Sequence, residues 1–313
     1  MTDKIDTASP ETAAAAAART AFIAIVGRPN VGKSTLMNAM LGEKVTIVSA
    51  KPQTTRNRIT GILTEGSDQF VFLDTPGIHK PKNKLGDYMM KSVSSALGGA
   101  DAVILIADAS YSPGDTEREI IANIRKTGLP AILVLNKIDL TDRERLAQTI
   151  TEYAALHDFD AVVPTCAEKG KNVPEVLEEA QKFLRESVWF FPEDIATDQS
   201  ERQIAAEVIR EKILRILNEE IPHGVAVTIE DFKEEPSILR IRAEIYCEKQ
   251  SHKGIIVGKG GETLKKIGSY AREDLEKFFG MHVYLNLWVK VKENWRDSDT
   301  GIRNFGYRAK DLT

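Results

Sequence analysis

A lysine and a hydroxyl side chain stand at a spacing that is typical of phosphate binding. Residues 27–34 read GRPNVGKS and fit the pattern G-x-x-x-x-G-K-[ST], the P-loop. Glycines let backbone N–H groups approach phosphate oxygens, Lys33 supplies a charge for the β- and γ-phosphates, and Ser34 supplies a hydroxyl for Mg²⁺. The predicted phosphate-binding residues are Gly27, Asn30, Val31, Gly32, Lys33, Ser34 and Thr35.

The segments that flank this motif predict a strand before it and a helix after it. Residues 21–26 form an apolar run with β-branched members, and residues 36–41 place apolar side chains at helical spacing before Gly42. A helix that starts at the motif adds the positive end of its dipole to the phosphate site. This context argues against a chance match in a glycine-rich turn.

A carboxylate and a glycine follow the next predicted strand, at residues 70–73. Residues 74–77 read DTPG, so Asp74 could reach the Mg²⁺ region through a water and Gly77 could offer its N–H to the γ-phosphate. Taken alone, the same four residues are also typical of a simple turn. The P-loop upstream favours the nucleotide interpretation.

Two later motifs predict that the base is guanine. Residues 136–139 read NKID after the strand predicted at 131–135, and a buried carboxylate at Asp139 could accept both N1–H and the 2-amino group. Adenine lacks both donors, so such a carboxylate would discriminate strongly. The N–H of Ala167 could meet guanine O6. The alternative interpretation of residues 136–139 is a solvated polar strand end. The predicted base-site residues are Asn136, Lys137, Asp139, Cys166 and Ala167.

Strands and helices alternate through the first part of the chain. Strand patterns at 70–73, 102–107 and 131–135 are separated by segments with helical patterns such as 116–127. This alternation predicts an α/β domain over residues 21–187 with a mostly parallel sheet, helices on both faces and a closing helix at 173–186. Ligands of such sheets bind at the carboxyl ends of the strands, where each motif lies.

The second part of the chain predicts a different, α+β domain over residues 201–292. Its elements run helix, two strands, a short helix, a second helix at 262–279 and a last strand. Gly258-Lys259-Gly260-Gly261 interrupts the helices, and residues 249–272 hold six basic residues against one acidic residue. A local basic patch of this kind favours nucleic-acid binding. The predicted contacts are Lys253, Gly258, Lys259, Gly260, Gly261, Lys265 and Lys266.

Composition and the remaining segments set the outer limits. The chain has 313 residues, a formal net charge of −4 and two cysteines without metal-ligand spacing, so we expect a reducing compartment and no disulfides. No apolar run approaches about 18 residues. We expect a disordered tail at 1–20, a linker at 188–200 whose aromatic residues pack between the domains, and a C-terminal tail at 293–313.

The ordered motifs resemble those of the GTPase superfamily, and the segment Gln53-Thr54-Thr55-Arg56 resembles switch I of its Era/TrmE branch. The resemblance implies Mg²⁺ held with Ser34, Thr55 and Asp74, a potassium ion held by Asn30, and Lys33, Thr55 and Gly77 as the groups that serve hydrolysis. Ile78 stands where many GTPases have a glutamine that orients the attacking water, so slow intrinsic hydrolysis is expected. Cys166 departs from the usual serine, which puts the support of a serine hydroxyl in question.

The second domain resembles a type II KH domain, and the whole layout resembles that of bacterial Era GTPases. That resemblance implies GTP and GDP binding, action in small (30S) ribosomal subunit assembly and 16S rRNA maturation, and binding near the 3′ end of that rRNA. It further implies a cytoplasmic monomer and leaves open a peripheral contact at the inner face of the cell membrane. The alternatives are a signalling GTPase whose second domain binds protein, and an RNA-modification GTPase, for whose extra domain the chain has no room.

Overall fold

The first domain of the computed structural model is built on a sheet that is parallel except for two of its strands. The structure describes residues 17–49, 51–218 and 221–307. The strand order is β2-β3-β1-β4-β5-β6, with β2 antiparallel to β3 and the short β7 antiparallel to the start of β1. The predicted mostly parallel sheet is confirmed. The strands are β1 Arg19–Val26, β2 Ile59–Glu65, β3 Asp68–Asp74, β4 Ala102–Asp108, β5 Ala131–Asn136, β6 Ala161–Pro164 and β7 Arg185–Glu186.

Helices cover both faces of this sheet because its central strands are apolar on both sides. One face packs against α1 and α5, through residues such as Leu36 and Val176. The other face packs against α2, α3 and α4, through residues such as Val93, Ile124 and Tyr153. The helices are α1 Lys33–Leu41, α2 Lys84–Gly98, α3 Asp115–Thr127, α4 Arg143–Ala154 and α5 Val173–Gln181.

The second domain packs its helices on one face of a three-stranded sheet. The strand order is β10-β9-β8, with β8 antiparallel and β10 parallel to β9. Leu275 of one helix and Ile209 of another lie in its core against Ile241. This order of elements confirms the KH-like α+β domain. The elements are α6 Glu201–Ile216, β8 Ala226–Glu235, β9 Ile238–Cys247, α7 Gln250–Val257, α8 Glu262–Phe279 and β10 His282–Val291.

Two boundaries and the packing of the linker differ from the sequence-based expectations. Strand β1 begins at Arg19, inside the predicted tail, and residues 1–16 of that tail lie outside the described residues. The closing helix ends at Gln181, because residues 185–186 pair with β1 instead of continuing the helix. Among the described residues the linker aromatics pack on the first domain: the Phe190 ring contacts the Phe22 ring with centres 5.0 Å apart, and the Trp189 indole donates to Ser67 O.

The predicted C-terminal tail is structured as far as it is described. Residues 295–297 form a 3₁₀ turn, and α9 (Asp299–Asn304) follows it. Trp295 and Ile302 are buried against Leu85 and Met89 of helix α2, so the segment packs on the first domain. Burial of these apolar side chains explains why the segment is ordered.

In the part of the chain that the structure describes, no helix is long and apolar enough to cross a membrane.

Candidate nucleotide site and nucleic-acid interface

The phosphate loop has space for glycine alone at two positions. A Cβ on Gly27 would lie 2.3 Å from the carbonyl oxygen of Ile106, and one on Gly32 would lie 2.3 Å from Nδ2 of Asn136. Gly32 also has a φ of 106°, which L side chains rarely adopt. The loop therefore packs directly on β4 and on Asn136, the residue at the end of β5 where the NKID motif begins.

The ammonium group of Lys33 is buried inside the loop. It donates to the carbonyl oxygens of Gly27 at 3.2 Å and Arg28 at 2.8 Å. Burial lowers the pKa of Lys33 to about 8, and the charge of Asp74 opposes this shift. Phosphate oxygens at this position would stabilise the charged form, so the site favours an anionic ligand.

Three oxygen-bearing side chains meet beside the P-loop, as the sequence predicts for Mg²⁺. Ser34 Oγ donates to Asp74 Oδ2 at 2.7 Å and lies 2.9 Å from Thr55 Oγ1, which donates to the same carboxylate at 3.2 Å. The other oxygen, Asp74 Oδ1, is buried without a hydrogen-bond partner among the described residues. An unpartnered carboxylate oxygen beside two hydroxyls fits a hard divalent cation.

The switch segment after Asp74 lies against the phosphate loop. A Cβ on Gly77 would lie 2.7 Å from Pro29 Cα, and the N–H of Ile78 donates to the carbonyl of Gly27 at 3.1 Å. Gly77, Asn30, Thr35 and Thr55 line one cavity with Lys33. Asn30 stands at its rim with a left-handed φ of 64°. The structure thus brings the predicted phosphate and metal residues together.

Asn136 ties the phosphate end of the site to the base end. Its Nδ2 donates to the carbonyl of Val31 at 2.8 Å, and its Oδ1 accepts from Thr165 Oγ1 at 3.2 Å and from the Ala167 N–H at 2.9 Å. The Ala167 N–H that the sequence assigns to guanine O6 is therefore directed at Asn136 here. One side chain fixes the relative position of three motifs.

Asp139 lies at the surface of this structure, where its side chain is 27% exposed and can be reached by a ligand. It sits on the 3₁₀ turn Ile138–Leu140 and forms an ion pair with Lys169 at 2.9 Å. The hydrogen bond from Lys169 lowers the pKa of Asp139, as does one from the Cys166 thiol. Cys166 thus supplies a donor where a serine hydroxyl is usual. Lys137, with a φ of 65°, pairs with Asp108 at 2.9 Å.

The glycine-rich loop between α7 and α8 is open toward solvent. Gly258, Gly260 and Gly261 all have positive φ, at 75°, 61° and 84°. Nothing lies within 4 Å of a Cβ built on Gly260 or Gly261. Lys259 and Lys265 are exposed, so charge surrounds an accessible backbone. This matches what a KH loop needs to approach a phosphate backbone closely.

A groove runs beside this loop, between α8 and β10. Its cavity of about 500 Å³ is lined on one side by Gly261, Lys265 and Arg272, and on the other by Tyr284 and Leu287. Basic residues beside an exposed aromatic ring can hold a phosphate and a base together. Lys266 lies 5.9 Å from the ring of Tyr270 on the neighbouring helical surface, and Lys253 is half-buried in α7.

Sequence reasoning missed the contacts of switch I with the second domain. Arg56 is buried and donates to the carbonyls of His223 and Val225, and Arg210 donates to those of Gln53 and Thr54. The only sequence signal was the position of Arg56 directly after the Thr54-Thr55 pair. Its partners lie more than 150 residues away, so no local pattern predicts them.

Comparison with known proteins identifies the family of each domain. The model of the family "50S ribosome-binding GTPase" matches residues 22–137, and the KH domain model matches residues 220–296. GTPase Era from Clostridium botulinum strain Hall is 50% identical over 291 residues, which are 93% of this chain and 98% of that protein. GTPase Era from Clostridium kluyveri is 48% identical and covers 93% of this chain and 99% of its own length.

Two solved structures match over nearly the whole chain, each with a TM-score of 0.90. One is Era in complex with MgGDPNP and nucleotides 1506–1542 of 16S ribosomal RNA, 40% identical, which covers 93% of this chain and 99% of its own. The other is a single-residue variant of Era from Aquifex aeolicus bound to GDP and AlF₄⁻, 41% identical, which covers 92% and 99%. Because these relatives share both domains and nearly the whole length of the chain, the chain belongs to the Era GTPase family and is a GTPase.

Proposed function

We propose that this GTPase binds the 3′ end of 16S rRNA and acts in assembly of the small (30S) ribosomal subunit and in maturation of that RNA. One observation carries the proposal: the open Gly258–Gly261 loop and its basic groove stand in the same chain as a guanine-nucleotide site. A relative with the same fold holds nucleotides 1506–1542 of that RNA together with MgGDPNP. A signalling GTPase whose second domain binds protein would not need a basic, open glycine loop.

The chemistry of hydrolysis rests mainly on charge stabilisation. Lys33 would balance the charge that develops on the transferring phosphoryl group, and the N–H of Gly77 would hold a γ-phosphate oxygen. Ser34, Thr55 and Asp74 would hold Mg²⁺, which supplies charge neutralisation between the phosphates. Ile78 is half-buried and apolar, so its side chain cannot orient the attacking water. We therefore expect a cation, the switch-loop backbone or a partner to contribute to fast turnover.

We further propose that potassium is that cation and that Asn30 holds it. Turnover in potassium is expected to exceed turnover in sodium at equal ionic strength, because Asn30 lines the phosphate cavity and its side chain carries an amide oxygen that can coordinate a cation. Asn30→Gly removes the amide without backbone strain, since glycine adopts the φ of 64° freely. Steady-state rates in the two salts are compared. Equal rates for the native chain, or a variant that keeps the stimulation, would remove potassium from the mechanism.

The RNA interface is tested by replacing Lys259 and Gly260 with aspartate. The loop then gains two negative charges and loses one positive charge, so RNA should bind much more weakly. Each lost phosphate contact should reduce the slope of log affinity against log salt by about 0.7. Folding should survive, because a Cβ on Gly260 meets nothing and aspartate tolerates left-handed backbone better than most residues. Gel shifts or fluorescence anisotropy over a salt series measure the effect.

The end of α8 offers a matched control for that variant. Lys277→Asp with Gly280→Asp makes the same charge change, also at a glycine with a φ of 66° and open space for a Cβ. This control should keep its RNA affinity, and both variants should keep GTP hydrolysis. If the loop variant binds RNA as tightly as the control, the second domain is a protein-binding module instead.

We place the protein in the cytoplasm as a monomer at the 30S subunit, bound to GTP or GDP. A peripheral contact at the inner face of the cell membrane remains an expectation from the family resemblance. Co-sedimentation with ribosomal subunits in cell extracts measures the first association. Flotation with anionic vesicles measures the second.

A further inference from the structure

The second domain holds switch I at several points along its length. Upstream of Thr55, the N–H of Val48 donates to Glu211 Oε1 at 3.1 Å, and the Arg210 side chain donates to Gln53 O at 3.3 Å. Downstream, the Arg56 side chain enters a socket. The stretch that carries Thr55 is thus attached to the second domain on both sides.

Carbonyl oxygens and aromatic rings of the socket stabilise the positive charge of Arg56. Nη1 donates to Val225 O at 2.7 Å and to Tyr307 Oη at 3.3 Å, and Nη2 donates to His223 O at 2.9 Å. The guanidinium carbon lies 5.9 Å from the centre of the Trp295 ring. No carboxylate forms an ion pair with Arg56 in the described ranges. Arg56 as a whole residue is 2% exposed, so its buried charge depends on the placement of these groups.

The socket walls come from two parts of the chain, and helix α2 supports one of them. His223 and Val225 lead into strand β8, while Trp295 and Tyr307 belong to the C-terminal segment, here defined as residues 293–307. The indole of Trp295 donates to Gly224 O at 2.9 Å, and the Tyr307 ring meets the Tyr88 ring of helix α2 with centres 5.6 Å apart. The socket is therefore complete only when both domains and the C-terminal segment are docked.

Thr55 is the residue next to Arg56, and its hydroxyl lies 2.9 Å from Ser34 and 3.2 Å from Asp74. We propose that Arg56 is a positioning residue for GTP hydrolysis: its socket holds Thr55 beside Ser34 and Asp74, so this arrangement requires the docked RNA-binding domain and C-terminal segment. The proposal deepens the proposed function, because it gives the second domain control over hydrolysis. It adds a role for the C-terminal segment and for the arginine that ends the switch I motif, to which the sequence analysis assigned no role.

Arg56→Lys tests the proposal, because lysine keeps the charge but cannot donate to two separate carbonyls and Tyr307 in the same fork. We expect kcat for GTP to fall roughly 10- to 100-fold, as for a displaced reacting group. Affinity for GDP should stay within about twofold, since Thr55 serves the γ-phosphate state. Affinity for MgGDPNP should fall, and the Mg²⁺ concentration for half-maximal binding should rise. Tyr307→Phe removes one hydroxyl and should give a smaller change in the same direction.

Arg58→Lys is the matched control, because Arg58 lies two residues further along the same loop and, among the described residues, takes no part in the hydrogen bonds or the ring contact of the socket. It should leave all these quantities unchanged. Hydrogen exchange gives a second readout: amides 51–57 of Arg56→Lys should exchange faster than those of the native chain in MgGDPNP. Native kcat and native exchange in Arg56→Lys would overturn the proposal. Equal losses of GDP and MgGDPNP affinity would also overturn it, because they indicate a general structural defect.

Measuring RNA binding by the native chain beside these quantities separates this proposal from the RNA-binding proposal. A native chain that does not bind RNA would contradict the proposed function and leave the Arg56 result standing. Wild-type RNA binding with an inert Arg56→Lys substitution would contradict the positioning role alone.

Discussion

Asp139→Asn is expected to lower the affinity for GTP by at least about 100-fold and to raise the affinity for xanthosine triphosphate. The carboxylate offers two acceptors to N1–H and the 2-amino group of guanine, whereas an asparagine amide presents a donor to one of them. Xanthine has a carbonyl at that position and accepts from this donor. Binding of fluorescent GTP and xanthosine triphosphate analogues to both proteins measures the exchange.

The neighbouring turn supplies a control for the base-specificity test. Glu168→Gln removes a carboxylate from an exposed residue beside Ala167, so it changes the local charge by the same amount. GTP binding should be unaffected by it. Since Asp139 lies at the surface and pairs with Lys169, its replacement should leave the fold intact. Native GTP affinity in Asp139→Asn would contradict the assignment of guanine to this turn.

Lys33→Ala should reduce kcat for GTP hydrolysis about 10²- to 10³-fold, the range for removal of one preorganised charge-stabilising donor. The ammonium is buried within the P-loop, with the pKa lowered to about 8, so nothing from bulk solvent can replace it readily. The carbonyls of Gly27 and Arg28 also lose their donor, which should weaken GDP binding as well. Single-turnover hydrolysis at saturating GTP separates the chemical step from binding.

An exposed lysine provides the comparison for this loss. Lys126→Ala, in the last turn of α3, removes the same charge from the surface and should hydrolyse GTP at the native rate. Thermal unfolding of both variants checks that each is folded. A folded Lys33→Ala protein within tenfold of native kcat would show that another group stabilises the transferring phosphate.

Local sequence patterns determined the nucleotide site and the order of elements. The glycines at 27 and 32, the lysine and the serine define the P-loop without reference to distant residues, because its hydrogen bonds are made by adjacent backbone groups. Parallel strands must end at one edge of their sheet, so the positions of Asp74 and Asn136 after apolar runs were enough to bring them together. The glycine-rich loop between two helices predicted the KH arrangement because it, too, is a pattern of neighbouring residues.

Tertiary structure alone decided how the two domains control one another. Arg56 finds its socket 167 to 251 residues further along the chain, where no periodicity or motif points back to it. The C-terminal segment resembled a tail because its few apolar residues, among them Trp295 and Tyr307, have no amphipathic period. They become buried when the segment packs against α2 and the second domain. Such contacts depend on which surfaces meet after the elements form, and a linear pattern carries no record of that.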